Sequence, residues 1–229
     1  MALQFNTLWR VIQINSEVAV STVVIMALSA ILAMLLTNDY ARKKTGSTGF
    51  WSSGMWAFSL SVALEVMFSL GINNAVLIKA YLFLVAFLVE LLAIGSIFLL
   101  KSRAIRLSYV LYSAIAAAIL AVALATSQIG NILVNGVVYG ALPIGVTIGS
   151  SLLTFPAAII LLAVSIISYR KTRKRSLISI ILGVIVVSAA GTLYIASFPA
   201  FLYLAEFVGI LLLWLGFVDF GALLSKLKM

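Results

Sequence analysis

Seven apolar stretches, separated by short loops, are the feature that most constrains the fold of this chain. They cover residues 17–38, 49–70, 77–100, 107–127, 143–168, 176–196 and 201–224. Each is long enough to cross a hydrocarbon core of about 30 Å as an α-helix. Short loops make successive helices antiparallel neighbours. The sequence therefore predicts an all-α polytopic membrane protein, in which residues 1–229 form a single domain of seven transmembrane helices.

The composition requires an apolar solvent. Hydrophobic residues make up 64% of the chain and charged residues only 9%. A soluble domain of 229 residues cannot bury that much apolar surface. The formal charge of +9 lies in the loops and leaves no basic face on a folded domain, so we expect no nucleic-acid partner. The expected partner is the lipid bilayer.

The basic residues predict the topology. Of the 15 Lys and Arg residues, all but Arg10 and Lys79 fall in loops on one side of the predicted helices. The positive-inside rule then places the N-terminus outside and the C-terminus inside a prokaryotic cell membrane. Those on the inner side are Arg42, Lys43, Lys44, Lys101, Arg103, Arg106, Arg170, Lys171, Arg173, Lys174, Arg175, Lys226 and Lys228.

Missing residue types exclude several chemistries. The chain has no Cys and no His, which rules out disulfides, zinc sites built on these residues and His-ligated haem. A retinal Schiff base needs a lysine within the last helix, and 201–224 has none. No hydrolytic motif or phosphate loop is present, so we expect no cofactor and no enzymatic activity.

The chain ends carry two further expectations. The first sixteen residues hold one Arg and no cleavable apolar core, so the first helix is expected to act as the insertion signal. Residues 225–229 follow the last stretch, which leaves no room for an attached output domain.

The connection between helices 4 and 5 contains a hairpin signal. Apolar, β-branched runs flank Asn135-Gly136, a pair that supplies the two positive φ values of a type I′ turn. We predict a small extracellular β-hairpin there. It either covers helix ends, caps a pocket or docks a partner.

An acidic cluster is the leading candidate site. Glu65, flanked by serines four residues before and after, lies in the outer half of its helix, and Glu206 lies at a similar depth. Lys79 and Tyr203 are expected at that level, so the four residues predict an outward-facing polar site for a cationic or hydrogen-bonding ligand, or for protons. The structural alternative is a buried Glu65–Lys79 ion pair that fixes helix register.

Glu90 is the deepest carboxyl group, near the middle of the third stretch. It has no evident partner in the sequence, and a carboxyl group in lipid is expected to be neutral. Either it bonds a Ser or Thr of a neighbouring helix or it belongs to a proton relay. We include it among the candidate ligand-binding residues.

Small residues and one proline predict local packing. Gly145 and Gly149 let helix 5 approach a neighbour, and we favour internal packing over a dimer interface. Pro156 is expected to kink helix 5, with Ser151 and Thr154 helping to satisfy the carbonyl that it frees. Stretches 3 and 7 also align without gaps at an offset of 120, as in a 3+1+3 parallel repeat.

Several short segments carry a resemblance. They are Trp56–Glu65, Lys79-Ala-Tyr81, Ile94–Leu100, Leu142–Gly145, Arg170–Arg175, Ala205–Gly209 and Leu215-Gly-Phe217. Together they resemble a group of uncharacterised prokaryotic seven-helix membrane proteins. The second stretch is also similar to the seven-helix sensor module of some histidine kinases. The resemblance implies that Glu65, Lys79 and Glu206 occupy that group's acidic, basic and acidic positions, although its basic residue is usually Arg.

These observations leave three functions open. The leading one is a non-enzymatic, sensory or small-ligand-binding membrane protein, which would signal to a protein partner through the cytoplasmic basic loops. The second is a secondary, proton-coupled transporter with Glu65, Lys79 and Glu90 on its path. The third is an accessory subunit that docks on a larger complex through the outer hairpin or its small-residue faces.

Overall fold

The computed structural model describes the backbone of residues 2–72, 74–129, 132–134, 137–138, 142–173, 178–183, 185–186 and 199–217. Within these ranges, only the backbone is described at residues 2–19, 133–134, 137–138 and 199–203. Of the basic residues named above, Lys174, Arg175, Lys226 and Lys228 also fall outside the described residues.

Helical residues occur in each of the seven predicted stretches. The helices are α1 (Ala2–Lys43), α2 (Gly46–Ser69), α3 (Ala75–Ile97), α4 (Arg103–Thr126), α5 (Ile144–Thr172), α6 (described at 178–183 and 185–186) and α7 (Pro199–Phe217).

Length and composition make part of this bundle able to cross a membrane. Four described segments are long and apolar enough: Val20–Lys43 of α1, and the whole of α3, α4 and α5. This confirms an all-α membrane fold, whereas the seven-span count and the orientation stay predictions. α2 is not among the four, because its serines, glycines and Glu65 lower its hydropathy.

The first five helices alternate in direction, as the short loops predicted. Thr37 of α1 bonds Ser52 of α2 at 2.7 Å between hydroxyl oxygens, and Tyr81 of α3 bonds Glu65 of α2. The α3 helix packs against α2, α4 and α5 and so occupies the middle of the bundle. Side chains from all seven helices contribute to one core cluster, with α4 represented by Tyr109 and α6 by Ile180 among its buried members.

Basic residues gather at one end of this arrangement, called here the basic end. It carries the C-termini of α1, α3 and α5 and the N-termini of α2 and α4. The described basic residues there are Arg42, Lys43, Lys44, Lys101, Arg103, Arg106, Arg170, Lys171 and Arg173. Among the described residues, the ion pair at this end joins Lys43 Nζ and Asp39 Oδ2 at 2.8 Å.

Helix α1 is longer than its apolar stretch, since its backbone is helical from Ala2. The first residues contain neither Gly nor Pro, and nothing in the sequence terminates the helix.

A tight turn ends α2. Gly71 has φ +79° and donates to Phe68 O, while Ile72 donates to Met67 O, which together form a Schellman motif.

Two short strands lie between α4 and α5. β1 (Leu133–Val134) pairs antiparallel with β2 (Val137–Val138), with Leu133 opposite Val138 and Val134 opposite Val137. The Asn135-Gly136 turn lies outside the described residues, so its type and the extracellular location of these strands stay predictions.

Pro156 falls inside α5, where its missing N–H frees the carbonyl of Leu152. The prediction that Ser151 or Thr154 would satisfy this carbonyl is wrong. Thr154 donates to Ser150 O at 3.0 Å instead, and Tyr112 of α4 donates its hydroxyl to Leu152 O at 2.6 Å. A neighbouring helix, rather than α5 itself, therefore completes the hydrogen bonding at the proline.

The glycines of α5 meet α4 as predicted for internal packing. A Cβ on Gly149 would lie 3.0 Å from the Cα of Leu120, so the backbones approach closely there. Gly145 lies opposite Ala123 with more room, since a Cβ on Gly145 would lie 3.9 Å from the Cβ of the alanine.

Candidate functional site

Glu65 is held in the interface between α2 and α3, in the half of the bundle away from the basic end. The residue is 5% exposed. Its Oε1 accepts a hydrogen bond from the Tyr81 hydroxyl at 2.6 Å, and Tyr81 is itself fixed edge-on against Phe68, with ring centroids 5.8 Å apart. Glu65 Oε2 is buried and has no hydrogen-bond partner within the described part of the chain. The described residues therefore account for the hydrogen bonding of one oxygen of this carboxyl group and not of the other.

Glu206 of α7 carries the second carboxyl group of this region. Its side chain is half-buried, but Oε2 is inaccessible to solvent and lacks a hydrogen-bond partner among the described residues. Glu65 and Glu206 are close enough to repel each other when both are ionised. The structure therefore brings together the two acidic residues that the sequence placed at one depth.

The position of α7 follows from its contacts with α1 and α2. Trp214 donates its indole N–H to Leu28 O at 3.0 Å, and the Phe217 ring lies 5.0 Å from that of Trp51, near the basic end. The α1 and α7 helices thus run in the same direction. Glu206 precedes Trp214 by eight residues, so it lies about 12 Å further from the basic end than Trp214 does.

Lys79 does not join this pair of carboxyl groups. Its Nζ donates to Ala125 O at 3.4 Å, at the C-terminal end of α4. Among the described residues no ion pair joins Lys79 to Glu65. The structure therefore does not bring Lys79 to Glu65, as the predicted cluster required, because the rotation of α3 turns Lys79 towards α4 and Tyr81 towards α2. Free carbonyls at a helix C-terminus favour a cation there.

Replacing Lys79 by methionine is expected to leave ligand binding unchanged. The substitution removes only a contact with the end of α4, which costs about 0.3–1 kcal/mol of unfolding free energy. Chemical unfolding and ligand-induced thermal stabilisation of the variant measure the two effects. Loss of ligand binding with the fold intact would return Lys79 to the site.

Tyr203 is the remaining member of the predicted cluster. It lies in α7, one helical turn from Glu206, and its side chain lies outside the description. Its participation stays a prediction.

Glu90 lies on the other side of α3, in a separate polar cluster with α4. It is completely buried, and its Oε1 bonds the Ser113 hydroxyl. This matches the predicted bond to a Ser or Thr of a neighbouring helix. Glu90 is nine residues from Tyr81 on α3, so the two clusters are about 14 Å apart along the helix.

Sequence reasoning missed two tyrosines. By position, Tyr81 and Tyr109 fit the interfacial aromatic belts, yet both are buried and face carboxyl groups. A usable signal existed for Tyr81, because Asn74 begins α3 by accepting a hydrogen bond from Leu77 N, which places Tyr81 two turns inside the helix. A belt residue would be expected nearer the helix end.

The fold and this geometry define an all-α membrane protein with two polar clusters inside the bundle, each containing at least one glutamate. Comparison with models of protein families, with curated proteins and with solved structures found no match to this chain. The described residues contain no group of three or more His, Cys, Asp or Glu that could hold a metal ion.

Proposed function

We propose that this chain is a non-enzymatic, sensory or small-ligand-binding membrane protein, whose ligand is a small monovalent cation held between Glu65 and Glu206. The observation that carries the proposal is the pair of buried, unpartnered oxygens, Oε2 of Glu65 and Oε2 of Glu206. Buried polar atoms without partners are rare and commonly mark a binding site.

Electrostatics favour a ligand with one positive charge. Two adjacent carboxylates cannot both stay ionised in a medium of low dielectric constant unless a cation lies between them. No described Lys or Arg side chain supplies that charge, since Lys79 bonds α4 instead. The missing charge then comes from solution, as a proton, an alkali-metal ion or a protonated amine.

The ligand class is limited further by the available donors. Two carboxyl groups and the Tyr81 hydroxyl offer few oxygens for a divalent ion, which prefers six or more oxygen ligands. The two unpartnered carboxyl oxygens can each accept a charge-assisted hydrogen bond from an ammonium group. We therefore favour a small amine over a metal ion.

With the predicted topology, in which the basic loops lie inside the cell, this site would lie in the outer half of the membrane, because Glu65 and Glu206 lie away from the basic end. A sensor of this arrangement would bind its ligand from outside the cell. The bound state would reach a separate protein through the cytoplasmic basic loops.

Thermal unfolding in lipid nanodiscs tests the proposal. The chlorides of sodium, ammonium, methylammonium and tetramethylammonium are compared at constant ionic strength, maintained with bulky N-methylglucamine. At least one cation is expected to raise the unfolding temperature of the parent protein. Glu65→Gln and Glu206→Gln are each expected to lower the binding affinity for that cation by about tenfold or more, since a charged hydrogen bond contributes about 1.5–3 kcal/mol.

Asp39→Asn is the matched control, because it removes one carboxylate at the exposed end of α1. It should keep the full response of the parent protein. Equal responses in all four proteins, or no response to any cation, would contradict the proposed site.

A further inference from the structure

The hydrogen bonds around Glu90 leave a place for a proton on its carboxyl group. Ser113 Oγ lies 2.8 Å from Tyr109 O and also bonds Glu90 Oε1. The serine hydroxyl has a single hydrogen, and a backbone carbonyl can only accept. If Ser113 donates to Tyr109 O, Ser113 must accept from Glu90. The Glu90 carboxyl group then carries the shared hydrogen and is neutral.

Among the residues that the structure describes, none around Glu90 supplies a counter-charge. Tyr109 and Tyr112 of α4 are the titratable residues that face it. In α2 the single titratable residue is Glu65. The titratable residues of α5 lie at its C-terminal end, at positions 169–171. Arg103 and Arg106 of α4 lie towards the basic end, where Arg106 covers the Phe98 ring at 5.7 Å.

A chain of contacts leads from Glu90 to the carbonyl group of α5 that Pro156 frees. The Tyr109 hydroxyl is buried close to Glu90 and has no well-formed hydrogen bond among the described residues. The Tyr109 ring stacks on that of Tyr112, with centroids 5.9 Å apart at 28°. Tyr112 in turn holds the Leu152 carbonyl that Pro156 frees.

We propose that Glu90 is a proton-binding site, distinct from the Glu65–Glu206 pair, whose occupancy controls the bend of α5 at Pro156. At alkaline pH, hydroxide takes the proton from the Glu90 carboxyl group and becomes water. The carboxylate that remains can only accept hydrogen bonds. Ser113 then turns its hydrogen away from Tyr109 O, and the Tyr109 hydroxyl turns to Glu90. Tyr112 follows its stacked partner and releases Leu152 O, so the bend of α5 changes.

Infrared difference spectroscopy with ¹³C-labelled glutamate tests the proton. A jump from neutral to alkaline pH should remove the C=O stretch of a protonated carboxyl group. This band should be missing in Glu90→Gln and present when Glu65 and Glu206 are both glutamine. In Ser113→Ala it should shift, because the carboxyl hydrogen loses its acceptor; this variant serves if Glu90→Gln does not fold.

Spin-label distances test the link to α5. The chain has no Cys, so labels can be attached only at introduced cysteines. Val76 and Ile144 are exposed, at 73% and 79%, and lie in the first turns of α3 and α5. Ile144 is 12 residues from Pro156, about 18 Å along the helix, so a bend change of about 10° moves its label by about 3 Å.

The expected result is a shift of this distance between neutral and alkaline pH, which Glu90→Gln and Tyr112→Phe each abolish. Absence of a Glu90 band at neutral pH would overturn the proton site. An unchanged distance, or a shift that survives Tyr112→Phe, would overturn the link. Neither outcome bears on cation binding at Glu65 and Glu206, which is measured separately.

Discussion

Replacing both Glu65 and Glu206 by glutamine is expected to abolish cation binding and to leave the ligand-free protein at least as stable as the parent. The substitution removes two charged ligands, together contributing about 3–6 kcal/mol, which weakens binding by a factor of about 10²–10⁴. It also removes the repulsion between two buried carboxyl groups, while an amide keeps their shape and still accepts from the Tyr81 hydroxyl.

Titration calorimetry with the best cation of the thermal screen, and unfolding without ligand, measure the two effects. The single glutamine variants are the controls, and each should fall between the parent and the double variant. Parent-like affinity in the double variant would show that the cation binds elsewhere. A large loss of stability without ligand would show that the carboxyl groups hold the fold together.

Enlarging Gly95 is expected to disrupt the packing of α2 against α3. A Cβ at this position would lie 2.4 Å from Trp51 Cδ1 and 3.0 Å from the backbone carbonyl of Ser47. The indole could shift, but the carbonyl belongs to the first turn of α2 and can move only with the helix. Gly95→Ala is therefore expected to cost about 1–3 kcal/mol, and Gly95→Leu to prevent folding. Chemical unfolding in mixed micelles measures the first effect, and gel filtration after extraction the second.

Gly145→Ala is the matched control for this experiment. Its Cβ would meet nothing closer than Ala123 Cβ at 3.9 Å, so the alanine should be neutral or slightly stabilising through its better helix propensity. If Gly95→Leu folds like the parent protein, the close contact between Gly95 and Trp51 is not present in the membrane.

Hydropathy was sufficient to locate the helices, because a lipid-exposed helix must be apolar along its whole length. Most predicted ends fall within a few residues of the observed ones, as for 77–100 against Ala75–Ile97. The exception is the start of α1, where polar residues extend the helix beyond the apolar stretch and hydropathy carries no signal.

The sequence predicted how deep the site residues lie in the bundle, but not which neighbouring helix each side chain faces. Counting residues along each helix placed Glu65 and Glu206 at one level. The rotation of α3 about its axis is set by packing, which apolar residues on every side do not reveal. Tyr81 therefore takes the place beside Glu65 that was predicted for Lys79, two residues earlier. The same applies to Tyr112, whose bond to Leu152 O depends on how α4 faces α5.

The most direct test of the proposed cation site is the infrared difference spectrum on adding the best-binding cation to protein that carries ¹³C-labelled glutamate. The cation should change the carboxyl bands of Glu65 and Glu206, and the changes should vanish when both are glutamine. Identical difference bands in the parent and the double variant, or no glutamate band at a saturating cation concentration, would contradict binding between these two side chains.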